Sequence, residues 1–73
     1  MIMEIKPTAM ERLAQIAIKY PVSPDTVWEA WEMLRPLNGS DEVTLQTLEK
    51  FGKAAAHGAC FRGLVYVLLE LLT

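Results

Sequence analysis

The residues that start and stop helices are the feature of this sequence that constrains its fold most. Ser23 is followed by Pro24, a typical helix start, because the serine hydroxyl accepts a bond from a free amide and proline at the first helical position gives up no needed donor. Ser40 or Asp41 is expected to cap the third helix. Pro21 and Gly58 are expected to end helices. No segment sustains the alternation typical of a strand, so the sequence predicts an all-α fold.

These signals define a compact bundle of about four short helices, over residues 8–20, 24–35, 41–57 and 59–72 of a single domain. Residues 1–7 form an N-terminal arm that carries Ile2, Met3 and Ile5. Thr8 and Glu11 have the spacing of a capping box at the start of helix 1. The apolar faces at helical spacing are Leu13, Ile16, Ala17 and Tyr20 in helix 1, Val27, Ala30, Trp31 and Leu34 in helix 2, and Leu45, Leu48, Phe51 and Ala55 in helix 3.

The C-terminal helix is apolar on nearly every side, which predicts either the hub of the bundle or a seam between two chains. The residues expected in this core or dimer seam are Phe61, Leu64, Val65, Leu68 and Leu72. Both alternatives stay open at this stage, as does the continuity of helices 3 and 4. Since 52% of only 73 residues are hydrophobic, the chain has more apolar surface than a small monomer buries, which favours a homodimer or a stable complex with a partner.

Composition also limits the setting in which the protein acts. The C-terminal apolar run is interrupted by Glu70 and is shorter than a membrane span, and the N-terminus has no export signal. The lone Cys60 has no partner for an internal disulfide and is expected to be a buried thiol in a reducing cytoplasm. The formal net charge of -2 provides no general attraction for nucleic acid.

Three carboxylates and a tryptophan are predicted to share one side of helix 2. Asp25, Glu29 and Glu32 follow one another at helical spacing, and Trp28 lies among them. An exposed tryptophan flanked by carboxylates is a good anchor for a basic protein surface. The alternative is a tryptophan packed at the edge of the core with solvated acids around it.

Residues 13–34 resemble the helix-turn-helix units of bacterial LacI-type repressors. Ala17 matches the small residue between the two helices, Val22 the apolar residue after the turn, and the stretch VSPDTV the start of the recognition helix. Pro21 stands where those units usually have glycine. The resemblance implies a dimeric transcriptional regulator that reads DNA with the start of helix 2.

In that reading, the residues expected to face DNA are Ser23, Lys19, Arg35, Lys50 and Lys53. Asp25 and Glu29 oppose it, because carboxylates at the reading positions repel phosphates. Lys50, Lys53 and His57 form a basic stripe on helix 3, for which a solvated surface is the simpler explanation. The single histidine predicts no metal site, and the absence of catalytic motifs predicts neither enzyme activity nor a cofactor.

The sequence therefore favours a small cytoplasmic protein-protein interaction module, without a membrane anchor and dimeric, that binds a protein through Trp28 and the acidic stripe. Such small chains are typical of phage or mobile-element accessory proteins that inhibit or recruit a host protein. DNA-binding regulation is the first alternative. A structural or assembly subunit is the second.

Overall fold

A computed structural model describes the backbone of residues 7–73 and the side chains of residues 8–73. Four α-helices follow one another, and they are α1 (Pro7–Lys19), α2 (Pro24–Asn38), α3 (Asp41–Ala56) and α4 (Phe61–Leu72). They form a small bundle, which confirms the predicted all-α fold. Ile2, Met3 and Ile5 lie outside the described residues.

The start of α2 at Ser23 is the one that the sequence predicts, and of the two caps that it allows for α3, Ser40 is the one in the structure. The hydroxyl of Ser23 accepts a hydrogen bond from the amide of Thr26 at 3.2 Å, and that of Ser40 accepts one from Val43 at the same distance. Helix α1 differs from the prediction, because it begins at Pro7 and so places Thr8 one residue inside the helix.

Helix α2 continues three residues beyond its predicted end, through Pro36 to Asn38. A proline this close to a helix end removes only one intrahelical donor. The helix ends at Gly39, whose φ of 80° is left-handed and whose amide donates to the carbonyl of Arg35 at 3.3 Å. The predicted end at residue 35 is therefore too early, because the glycine, and not the proline, terminates the helix.

Helices α3 and α4 are separate, and the break lies at residues 57–60. Gly58 has a φ of 100°, a conformation that glycine adopts easily. Cys60 is the N-cap of α4, and its Sγ accepts a hydrogen bond from the amide of Gly63 at 3.4 Å. Its thiol is exposed, so the prediction of a buried cysteine is wrong, because the residue lies in the exposed connection and not on the inner face of α4.

The core lies between the inner faces of the four helices and includes the whole predicted face of α2. Its buried hydrophobic residues are Ala9, Leu13, Ile16, Tyr20, Val27, Ala30, Trp31, Leu34, Leu45, Leu48, Phe61 and Val65. In the described part of the chain, α2 and α3 pack against each other and against both outer helices, whereas α1 and α4 do not meet. Helix α4 is thus peripheral, and the central position that one alternative assigned to it belongs to α2 and α3.

Two aromatic contacts hold the outer helices against α3. The ring of Tyr20, at the end of α1, lies against Gly52. The rings of Phe51 and Phe61 meet edge to face, with centroids 6.2 Å apart, and so join α3 to the first turn of α4. None of the four described helices is long and apolar enough to cross a membrane.

Candidate partner-binding site

Trp28 lies on the exposed side of α2, one turn from the start of the helix. Its side chain is 42% exposed, whereas Trp31 is 3% exposed and belongs to the core. The Ser23 cap and Pro24 fix the first residue of α2, and with it the side of the helix on which each later residue lies. Trp31, three residues after Trp28, lies on the inner side, whereas Trp28 lies on the outer side. The two tryptophans are therefore distinct in position and surroundings.

A groove runs beside Trp28, between α1 and the first turns of α2. Its volume is about 250 Å³, and its lining residues are Met10, Leu13, Ala14, Pro24, Asp25 and Trp28. Most of the lining is apolar, and Asp25 is its one charged residue. Leu13 is buried and Met10 is exposed, so the groove reaches from the core to the surface. It is an open apolar groove with one carboxylate in its wall.

The structure divides the predicted acidic stripe into two parts. Glu29 accepts a hydrogen bond from Arg62 of α4 at 3.1 Å, so this carboxylate faces away from the groove. Asp25 lines the groove, and Glu32 is one turn beyond Trp28 on the exposed side of α2. Among residues 8–73, no Lys, Arg or His lies within ion-pair distance of Asp25 or Glu32. These two carboxylates are the negative charges available beside Trp28.

The predicted DNA-facing residues are mostly engaged within the protein. Lys19 pairs with Glu49 of α3 at 3.4 Å, and Arg35 pairs with Asp41. The Ser23 hydroxyl is used as the α2 cap. Two of the cations expected to assist DNA binding are thus already partnered by carboxylates.

Glu49 is the centre of the charged contact between α1 and α3. It also accepts a hydrogen bond from the Tyr20 hydroxyl, at 3.3 Å. The hydrogen bond from Lys19 lowers the pKa of Glu49, and the positive charge of Lys53 lowers it further. The Tyr20 hydroxyl and, after it, Glu49 raise the pKa of Lys19. The contact is therefore most favourable while the carboxylate is ionised and the ammonium is protonated.

The rest of the basic stripe lies on α3 and at its end. Lys50 and Lys53 are exposed, and His57 is the C-cap of α3. Lys53 is one turn from Glu49, so the stripe adjoins the Lys19 contact. The structure therefore brings Lys19 and Lys53 to one carboxylate but places Arg35 in a separate pair.

The residues predicted to form the core or dimer seam of α4 differ in how deeply they are buried. Phe61 and Val65 lie in the core, and Leu68 packs against it. Leu64 is half-buried, and Leu72 is exposed near the end of the helix.

The contribution that α1 makes to the groove is missing from the sequence prediction. Met10 and Ala14, spaced one turn apart, are the signal that was available in the sequence. The Glu29–Arg62 pair joins residues far apart in the sequence, so no local sequence pattern predicts it.

Among residues 8–73, no group of three His, Cys, Asp or Glu side chains is placed to hold a metal ion. In comparisons with known proteins, no family model, curated protein or solved structure matches this chain.

Proposed function

We propose that this protein is a protein-binding module that recognises a basic surface on its partner through the Trp28 groove. The observation that carries the proposal is an exposed tryptophan on an apolar groove whose lining includes Asp25, a carboxylate that pairs with no cation of residues 8–73. Tryptophan is a frequent hot-spot residue, and nearby charges guide the encounter of two proteins.

The chemistry of the groove fits an arginine or lysine side chain of the partner. The aliphatic part of such a side chain would lie against Met10 and Trp28, while its charged group approaches Asp25. A cation over the face of a tryptophan gains about 0.5–2 kcal/mol, and more as water is excluded. Glu32, one turn away, adds to the attraction for a basic surface.

The wider role is part of the same proposal. The protein acts in the cytoplasm as a homodimer, and it inhibits or recruits its partner by covering a basic face, as accessory proteins of phages and mobile elements do. The exposed, unpaired Cys60 fits a reducing compartment. A structural or assembly subunit would instead form larger particles, which light scattering of the purified protein distinguishes from a dimer.

DNA binding is the alternative function. It is supported by a group of three lysines, since Lys19 and Lys53 both lie near Glu49 and Lys50 is next to it in the sequence. The ion pairs of Lys19 and Arg35 count against it, since both cations would have to leave their partners to reach phosphates. The charge at the start of α2 counts against it as well, because Asp25 would face the DNA. If this alternative is correct, binding of labelled DNA falls steeply with salt as counterions are released.

The test is a comparison of immobilised variants in lysates of the source cell, with and without nuclease. Trp28→Ala removes the anchor, and Asp25→Lys reverses the charge in the groove. Two matched controls lie outside the groove. Ile18→Ala truncates an apolar side chain on α1 that is 85% exposed, and Glu29→Gln removes a carboxylate on α2 that faces α4.

We expect a protein that the wild type and both controls retain, that both groove variants lose, and that nuclease does not release. Circular dichroism establishes that each variant is folded. The identified protein is then purified, and its binding is measured by titration with the same variants. Equal retention by Trp28→Ala and the wild type would overturn the groove as the binding site. If nuclease treatment abolished all retention, the protein-binding proposal would be wrong and nucleic-acid binding would take its place.

A further inference from the structure

The outward side of α2 carries a carboxylate on either side of Trp28. Asp25 is three residues before Trp28 and Glu32 is four residues after it, and all three side chains are exposed. With a rise of 1.5 Å per residue, the two carboxylates lie about 10.5 Å apart along the helix axis. Seven residues make nearly two complete turns, so the two side chains leave the helix only about 20° apart. We call Asp25, Trp28 and Glu32 the outer row of α2.

The cations of α1 and α4 in the described part of the chain are paired elsewhere. Arg12 and Lys19 of α1 pair with carboxylates of α3, and Arg62 of α4 pairs with Glu29. Among residues 8–73, no cation pairs with either carboxylate of the outer row. The negative charge of α2 is therefore concentrated along this row, and the Trp28 groove adds an apolar surface on its α1 side.

The spacing of the outer row selects the shape of a basic partner. Two cations meet both carboxylates most directly when they lie about 10.5 Å apart on one side of the partner. In an extended strand, side chains on one face are about 6.6 Å apart after two residues and about 13 Å after four, and neither distance matches. In an α-helix, residues seven positions apart lie about 10.5 Å apart on the same side. A helix laid along α2 therefore fits the row, whereas a strand does not.

The same arrangement uses the apolar part of the site. The stem of one cationic side chain lies in the groove against Met10, with its charged group at Asp25. An apolar residue between the two cations, three or four positions from either one, covers the exposed ring of Trp28. The second cation then reaches Glu32. Binding an amphipathic helix by its apolar side is a common mode of recognition between proteins.

We propose that the partner segment bound at this site is a basic amphipathic α-helix that lies along the outer row of α2. It carries two Arg or Lys residues seven positions apart and a large apolar residue between them. The inference rests on the proposed function, since it takes the Trp28 groove as the binding site. It adds the secondary structure of the partner and the spacing of its cations, and it makes Glu32, which lies outside the groove lining, part of the site.

Titration with synthetic peptides tests the spacing. The first peptide is rich in alanine and glutamine and has about 20 residues, long enough to form a helix. It carries two arginines seven positions apart and leucines at the third and fourth positions between them. The matched control has the same composition, with the second arginine moved to five positions after the first and so about 140° around the helix. Circular dichroism establishes that both peptides are helical.

Fluorescence of Trp28, measured in the Trp31→Phe variant, reports binding. We expect a blue shift as leucine covers the ring, and an affinity for the seven-spaced peptide about two- to fivefold higher than for the five-spaced one, the difference made by one exposed ion pair. Glu32→Gln should remove this difference, because the five-spaced peptide does not reach Glu32. Glu70→Gln removes an exposed carboxylate of α4 and should leave the difference unchanged. Such a cycle assigns the effect to one pair and not to the net charge.

Equal affinities for the two peptides, or equal weakening of both by Glu32→Gln, would overturn the helical partner. If Asp25→Asn still weakened both peptides in that case, the groove would remain the binding site and only the helical form of the partner would be wrong. The absence of binding by any peptide up to about 1 mM, the upper end of weak affinities, would also overturn the helical partner. Failure of the proposed function has a different signature, which is that Trp28→Ala retains the lysate partner as well as the wild type does.

Discussion

The ring of Tyr20 lies directly against the backbone of Gly52, and the Tyr20 hydroxyl donates to Glu49 one turn earlier in α3. A Cβ atom at position 52 would be 2.8 Å from Cγ of Tyr20, closer than such atoms approach in proteins. The missing side chain therefore lets the end of α1 settle on α3. This contact fixes one wall of the Trp28 groove, because Met10 and Ala14 belong to the same helix.

Replacing this glycine should destabilise the protein. We expect Gly52→Ala to lower the free energy of unfolding by about 1–3 kcal/mol, since the added methyl group forces the buried Tyr20 ring to move. Urea unfolding followed by circular dichroism measures the change. Gly63→Ala is the matched control, because it makes the same exchange at a position with room for a methyl group. Equal effects of the two substitutions would contradict the Tyr20 contact.

The two tryptophans should respond differently to solvent. With Trp31→Phe, only the exposed Trp28 emits, and we expect red-shifted fluorescence that acrylamide quenches readily. With Trp28→Phe, emission from the buried Trp31 should be blue-shifted and protected. If both variants are quenched equally in the folded state, Trp28 does not occupy the exposed position described above.

Truncation of a fully buried leucine should be costly. Leu48 is completely buried in the centre of α3, so Leu48→Ala is expected to lower the free energy of unfolding by about 2–5 kcal/mol through lost transfer energy and an unfilled cavity. A chain this small has little stability to lose, and partial unfolding at 37 °C should follow. Chemical denaturation at low temperature measures the effect. Ile18→Ala, at an exposed position, should change stability by less than about 0.5 kcal/mol.

Acid should weaken the contacts that hold α1 to α3. A hydrogen bond from Arg12 lowers the pKa of Glu42, and one from Lys19 lowers that of Glu49. Because both pKa values are lower in the folded state, their stabilisation is present above the unfolded pKa of about 4.3 and is lost as the pH falls through the folded values.

We therefore expect stability to decline below about pH 5 as these carboxylates take up protons. The double variant Glu42→Gln with Glu49→Gln should show a shallower decline when urea unfolding is repeated across this pH range. Both pairs are exposed, so high salt should also reduce the effect. An unchanged pH profile in the double variant would show that these pairs contribute nothing measurable.

Local signals predicted much of this fold because they act within a few residues. The serine caps at 23 and 40 determine helix starts through bonds to their own first turns, and the spacing of Trp31 relative to Trp28 determines which ring faces inward. Gly58 likewise requires only its own backbone to turn. These features depend little on tertiary structure.

What the sequence did not predict depends on packing between distant segments. Arg62 lies 33 positions after Glu29 in the sequence, and the ion pair between them removes Glu29 from the negative charges available beside Trp28. The groove needs α1 to lie beside Trp28, and the position of α1 depends on Tyr20 meeting Gly52. The end of α2 was mispredicted for a local reason. The last turn tolerates the loss of one backbone donor at Pro36, and the helix ends only at Gly39.

The separation of α1 from α4 has a consequence for avidity. The groove uses α1 and α2, while α4 takes no part in it, so one chain has room for a second contact besides the groove. A homodimer that formed on the side of α4 would then present two grooves in a fixed, twofold-related arrangement. Two modest binding events on one partner would become a single bivalent one, with the second favoured by the high effective concentration that the first creates. A target that carries its basic surface in two copies would be selected over one that carries it once.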